Sequence, residues 1–242
     1  MGEGKAWLSP LFFCRRCDES ADTCVLPNVT GESTNKKDTM RKRTLLVLLA
    51  CGIMTGWMLE PAMAKKGKGG GKPAPVPVLT DVEAADLLFM REEEKLARDV
   101  YITMYSKWGV RVFDNISQSE QTHMDKILGL LDKYGLEDPA LGFGKFADVE
   151  LQELFDMLIV DGLQSELDAL MVGALIEEVD MEDIVVAMER TDEADILTVY
   201  GNLLAGSENH LNSFVKNIEA ITGETYVAQW ISQEEVDAIL DR

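Results

Sequence analysis

Residues 113–134 read FDNISQSEQTHMDKILGLLDKY, and their spacing decides the fold. Ile116, Glu120, His123, Ile127, Leu130 and Tyr134 recur every three or four residues, the period of one face of an α-helix. The stretch therefore predicts a helix over about Phe113–Tyr134, stopped at Gly135. Its inward stripe is apolar except at Glu120 and His123, which stand one turn apart. A polar pair inside an apolar seam needs a chemical reason.

The same period runs outward in both directions. A helix is predicted over about Asp81–Trp108, stopped at Gly109, with Leu87, Met90, Glu94, Ala97, Tyr101, Met104 and Trp108 on its inner stripe. Glu92 and Glu93 fall off that stripe, and Glu92-Glu93-Glu94-Lys95 taken alone would read as a solvated face. A third long helix covers about Leu163–Glu189 with Ser165 near its start. A fourth covers about Glu193–Ile221, capped by Asp192 and ended at Gly223, with the stripe Ile196, Tyr200, Leu203, Ser207, His210, Phe214, Asn217 and Ile221. Residues 135–162 connect the second and third long helices and contain a short helix near Val149–Ile159. Ser232-Gln-Glu-Glu235 resembles a capping box and predicts a short C-terminal helix to Leu240. Extended alternating runs of β-branched residues are missing. The expected class is all-α: two antiparallel hairpins joined by a crossover, the ferritin-like four-helix arrangement, plus the short last helix.

Composition agrees with a folded chain and divides it in two. Of 242 residues, 46% are apolar and 27% charged, with a net charge of −20. Residues 1–80 carry 12 Lys+Arg and 7 Asp+Glu, net +5, which leaves 11 and 36, net −25, for residues 81–242. Such an acidic domain repels nucleic acid and anionic membrane surfaces but not cations. All four cysteines precede residue 52, so the acidic part can be exported without a thiol problem. Cys14-Arg-Arg-Cys17 lacks a second ligand pair at zinc-module spacing.

Met40-Arg-Lys-Arg43, the apolar run Leu45–Leu59 and the ending Ala62-Met63-Ala64 form the three parts of a signal peptide over 40–64, cleaved after Ala64. An uncleaved anchor and a lipoprotein modified at Cys51 are the alternatives. Residues 1–39 then read as an over-extended N-terminus, 65–78 as a Gly/Lys/Pro linker, and 79–242 as the helical domain. The expected location is secreted or periplasmic, with no stable membrane insertion after cleavage and a homodimer compatible with the pattern.

The third long helix leaves Glu177 and Glu178 on either side of its apolar arc, with Asp180 one turn after Glu177. The domain's two histidines, His123 and His210, thus face the core together with Glu94, Glu120 and acids of the third helix. Within each hairpin these positions fall at comparable depth: Glu94 is 15 residues before Gly109 and Glu120 is 11 after it. One isolated buried carboxylate costs about 2–3 kcal/mol or more unless paired or metal-bound. A divalent metal held by Glu94, Glu120, His123, Glu177, Asp180 and His210 resolves the conflict, since its charge offsets theirs. A core histidine satisfied by a hydrogen bond is the simpler explanation of each residue alone; the coincidence on four helices favours metal.

Glu94-Lys-Leu-Ala-Arg-Asp-Val-Tyr101, Glu120-Gln-Thr-His123 and Gly173-Ala-Leu-Ile-Glu-Glu-Val-Asp180 resemble motifs of the ferritin-like di-iron carboxylate proteins, rubrerythrin-type domains in particular. With Gly206-Ser-Glu-Asn-His-Leu211 added, the chain is similar over about residues 80–240 to the domain of unknown function 2202. The resemblance implies an iron or manganese centre, mononuclear or dinuclear, that reacts with O2 or peroxide as an oxidase or peroxidase would. The superfamily's fourth-helix Glu-x-x-His would need an acid at 207, where this chain has Ser207. Tyr101 and Tyr200 share stripes with the acids, either as electron relays or as packed aromatics. Two other readings stay open. One is a non-catalytic bundle that carries metal or docks a partner at the envelope; the other is a metal-free bundle whose acids pair with Arg91 or Arg98.

Overall fold

The computed structural model describes residues 78–242, and within them the chain is all-helical, with six helices and no strand. The leader at 40–64, residues 1–39 and all of the linker before residue 78 lie outside the described residues. Helix α1 spans Asp81–Trp108, α2 Arg111–Tyr134, α3 Val149–Gly162, α4 Glu166–Met188, α5 Ala194–Thr222 and α6 Gln233–Ile239. None of them is long and apolar enough to cross a membrane.

Local chemistry sets the boundaries. Thr80 and Glu83 close a capping box: the Glu83 N–H donates to Thr80 Oγ1 at 3.2 Å, and the Thr80 N–H to Glu83 Oε2 at 2.8 Å. Gly109 (φ 71°) and Gly135 (φ 73°) end α1 and α2 in the left-handed region, where a side chain would be strained. Asp148 caps α3, Ser165 caps α4, and Ser232 with Glu235 makes the expected capping box of α6. Three starts differ from expectation. Helix α4 begins at Glu166 rather than Leu163. Helix α2 begins at Arg111, two residues early, with Val110 at its N-cap. Helix α5 begins after Glu193 rather than Asp192, and Thr191 Oγ1 accepts the Glu193 N–H at 3.1 Å in place of an aspartate cap.

Helix α1 packs along α2, and α4 along α5; α1 also meets α4, and α2 meets α5, so the four enclose one interior. Helix α3, in the crossover, lies against α1 and α4. The interior has two apolar clusters. One holds the Tyr101, Phe113 and Phe214 rings, with centroids 5.2–6.1 Å apart, together with Leu158 and Leu170. The other holds Leu87, Met90, Ile127, Leu131, Ile184, Ile196 and Tyr200. Between them, on all four long helices, lies a polar layer.

The outer face of α1 is not solvated. Arg91 through Lys95 are all buried, and the crossover lies on Arg91, Glu92 and Lys95. Arg91 grips Asp138 through two hydrogen bonds (3.0 and 2.9 Å), and Glu92 accepts the Ala147 and Asp148 N–H groups at 2.6 and 2.9 Å. Lys95, fully buried, donates to Asp99 at 2.7 Å and to the Lys145 carbonyl at 2.9 Å. The run Glu92-Glu93-Glu94-Lys95, which alone would read as a solvated face, is therefore buried throughout.

At the other flank, fully buried Glu178 receives the Tyr226 hydroxyl at 2.6 Å and the N–H groups of Gln229 (2.9 Å), Trp230 and Ile231 (3.1 Å). One carboxylate thus clasps the C-terminal segment to α4. Glu178→Ala strands several buried donors and is expected to lower unfolding free energy by about 3 kcal/mol in urea denaturation. Amide exchange should accelerate first over residues 226–240. Unchanged stability would mean that the segment is held by its apolar contacts alone.

Candidate metal centre

Each member of the polar layer is set by the helical stripe that carries it. Glu94 comes from α1, Glu120 and His123 from α2, Glu177 and Asp180 from α4, and His210 from α5. All six are at most 8% exposed. His123 Nδ1 lies 2.8 Å from Glu120 Oε2 and 3.1 Å from Glu94 Oε2. His210 Nδ1 lies 2.9 Å from Glu120 Oε1 and 3.3 Å from Glu177 Oε2. Glu120 therefore turns one oxygen to each imidazole. The rings stack with centroids 5.5 Å apart.

Two sets of donor atoms result, Glu94/Glu120/His123 and Glu120/Glu177/His210, each with its atoms within 4.8 Å of one another. Such a triad of nitrogen and oxygen donors can hold a divalent metal. Asp180 belongs to neither set but adjoins both through its charge, acting on Glu94 and feeling Glu177, Glu120 and His123. Its Oδ2 accepts the Ser207 hydroxyl at 2.6 Å. Ser207 on α5 thus holds an acid that projects from α4.

Outer contacts orient this layer. The Tyr101 hydroxyl donates to Glu177 Oε1 at 2.5 Å, with the Gly173 carbonyl also near at 3.3 Å. His210 Nε2 meets Ser119 Oγ at 2.9 Å, which leaves Nδ1 for the carboxylates. At Gly206 a Cβ would come within 2.7 Å of His123 Cε1 and Nε2, so only glycine leaves the ring its place. Ser119 and Gly206 escaped the sequence reading. A glycine inside the helical run Leu203–Phe214 was the available signal; Ser119 gave none until the pairing of α2 with α5 was known.

The arginines considered as counter-charges do not reach the layer. Arg91 is engaged by Asp138, and Arg98 by Asp99 and Gln121. Of the two adjacent acids on α4, Glu177 points to the layer and Glu178 to the C-terminal clasp.

The layer fits a cation on the state of its atoms. Glu94 Oε1, Glu120 Oε1, Asp180 Oδ1 and His210 Nδ1 are buried without a hydrogen-bond partner; the 2.9 Å approach of Glu120 Oε1 to His210 Nδ1 is off hydrogen-bond alignment. Burial opposes charge on His123, but Glu120 and Glu94 outweigh it and raise its pKa to about 11. Burial likewise opposes charge on His210, and Glu177 and Glu120 raise it to about 10. Glu120 is pushed upward by burial, yet its two histidines hold it at about 2. Asp180 rises to about 8 through burial and the Glu177 charge, and burial carries Glu94 well above the carboxylate range.

Without metal, the imidazolium charges neutralise the layer. A histidine pKa raised on folding contributes stability that is complete below about pH 6.5 and lost as pH rises through 10–11. A raised Asp180 adds a loss in the same direction, from about pH 4 to 8. Glu120, lowered, contributes above about pH 4.5 and loses its share toward pH 2. Chelator-treated protein is therefore expected to be most stable at about pH 4–5, with a urea midpoint that falls steadily from about pH 5 to pH 10. A flat midpoint over that range would show that the histidines are not the counter-ions of the layer.

Comparison with known proteins places this geometry in a family. Residues 83–242 match the uncharacterized protein domain DUF2202. The uncharacterized protein MJ0754 of Methanocaldococcus jannaschii is 45% identical over 164 residues, which span 67% of this chain and 88% of that protein. The crystal structure of the hypothetical protein MJ0754 superposes with a TM-score of 0.67 at 43% identity, covering 71% of this chain and 98% of the other. The chain, from the first turn of α1 to its last residue, belongs to the DUF2202 family.

Proposed function

We propose that the polar layer is a ferritin-like dinuclear centre for iron or manganese. Glu94, Glu120 and His123 would hold one ion, Glu120, Glu177 and His210 the other, and Asp180 would offer a sixth donor side chain. The observation that carries this reading is the division of the Glu120 carboxylate, one oxygen toward each Nδ1. Bound metal would supply Lewis acidity and one-electron redox chemistry toward a small oxidant, O2 or peroxide.

The chain's own residues prepare that chemistry. Tyr101 fixes Glu177 and can hold a proton at its hydroxyl beside Oε1. Ser207 orients Asp180, and Ser119 sets the His210 tautomer. The apolar clusters on both sides keep bulk water from the layer, which strengthens every charge interaction in it. The signal-peptide pattern of the sequence at 40–64 supports action outside the cytoplasm, in a secreted or periplasmic setting.

A second reading, metal carriage without turnover, is favoured by the enclosure of the layer. His123 and His210 are 8% exposed and the acids less, so no large substrate reaches them directly.

Elemental analysis of the purified domain after reconstitution tests both. Two metal ions per chain are expected in the wild type. Glu120→Ala should lose both, whereas His123→Ala should retain about one, at a reduced affinity of roughly 10–100-fold. Absence of bound metal in reconstituted wild type would overturn the proposal. Loaded protein that turns over neither O2 nor peroxide would leave carriage as the function.

A further inference from the structure

The two triads share Glu120, and their histidines stand on matching segments. On α2, Ser119 and Glu120 precede His123 by four and three residues; on α5, Gly206 and Ser207 precede His210 by the same intervals. Each imidazole turns Nδ1 to the acids and its far edge to the opposite helix. His210 Nε2 meets the Ser119 hydroxyl of α2 at 2.9 Å. His123 Nε2 and Cε1 lie against Gly206 of α5, where a Cβ would stand only 2.7 Å from them. The crossing is reciprocal in place but not in chemistry. A hydroxyl holds the His210 ring, whereas Gly206 admits the His123 ring and has no side chain to hold it.

The second carboxylates differ in the same sense. Glu177 faces His210 with Oε2, and its other oxygen is engaged by the Tyr101 hydroxyl at 2.5 Å. Glu94 faces His123 with Oε2, and its Oε1 is buried without a hydrogen-bond partner. Ser207, the counterpart of Glu120 on α5, lies 2.6 Å from Asp180 Oδ2 and 3.1 Å from the Leu203 carbonyl, so its hydroxyl serves neither histidine. Outer contacts fix ligand side chains before a metal arrives, and losing one lowers metal affinity about 10–100-fold. One triad has such a contact on its imidazole and another on its second carboxylate. The other has neither among the described residues.

We infer that the two positions are unequal: the Glu120/Glu177/His210 position fills first and retains its ion, and the Glu94/Glu120/His123 position takes a second ion more weakly and exchanges it. This inference deepens the metal-binding reading above and rests on it. Ser119 and Tyr101 are positioning residues for the first ion, acting through His210 and Glu177. Gly206 gives the His123 ring its room and leaves it free to turn.

Co2+ titration of metal-free full-length protein, followed by the absorption of the bound ion, resolves the two steps. Sharing Glu120 would separate the steps even for equal positions, so the variants decide. Ser119→Ala and Tyr101→Phe should each weaken the tighter step about tenfold, and the weaker step far less. Gly206→Ala, which drives a methyl group into the His123 ring, should abolish the weaker step and keep the tighter one. A tighter step left at its wild-type affinity in both Ser119→Ala and Tyr101→Phe overturns the inference. So does a loss shared equally by both steps, the mark of general loosening, or a tighter step lost in Gly206→Ala. The Ser119 and Tyr101 variants settle the order by themselves should Gly206→Ala fail to fold. A wild type that takes up no Co2+ overturns the metal-binding reading and this inference with it.

Discussion

The rest of this structure depends on one electrostatic constraint: four carboxylates and two imidazoles enclosed between two apolar clusters. An interior that packs Leu, Ile and Phe above and below a charged layer has little dielectric to spread the charge. Each acid buried alone would cost about 2–3 kcal/mol or more, and the layer holds four. The bundle tolerates them through opposite charge inside the same layer, supplied by protons on the histidines or by metal, and through the raised proton affinity of Glu94 and Asp180. Every neighbour serves that arrangement. Tyr101 and Ser207 donate to acids, Ser119 occupies the outward nitrogen of His210, and Gly206 gives way to the His123 ring.

The layer was legible in the sequence because helical period converts spacing into direction. Glu94, Glu120, His123 and His210 each interrupt an otherwise apolar stripe, and all four point inward. Glu177 and Glu178 straddled the apolar arc of α4, so period alone could not separate them. Their separation came from the C-terminal segment, whose N–H groups converge on Glu178. That contact spans about fifty residues of sequence and leaves no periodic trace.

Glu92 and Glu93 mark the limit in another way. Off-stripe acids on a bundle helix ordinarily face water. Here the crossover covers Glu92 with backbone N–H groups and sits beside the Lys95–Asp99 pair, while Glu93 is buried next to Asp183 of α4. Hydropathy cannot reveal a polar interface satisfied in this manner, since both of its surfaces look solvated. Helix existence and most boundaries were readable from glycines and capping residues; the α5 start was not, because Thr191 does from two positions upstream what an N-cap side chain usually does.

Glu177 and Glu178 are consecutive, so about 100° of helix rotation separates their directions. One is fixed by Tyr101 and His210, the other by the C-terminal clasp. Helix α4 is therefore keyed at two angles at a single level along its axis and cannot roll without breaking one set of contacts. The tail of the chain, remote from the imidazoles in sequence, acts as the torsional stop that keeps Glu177 trained on them.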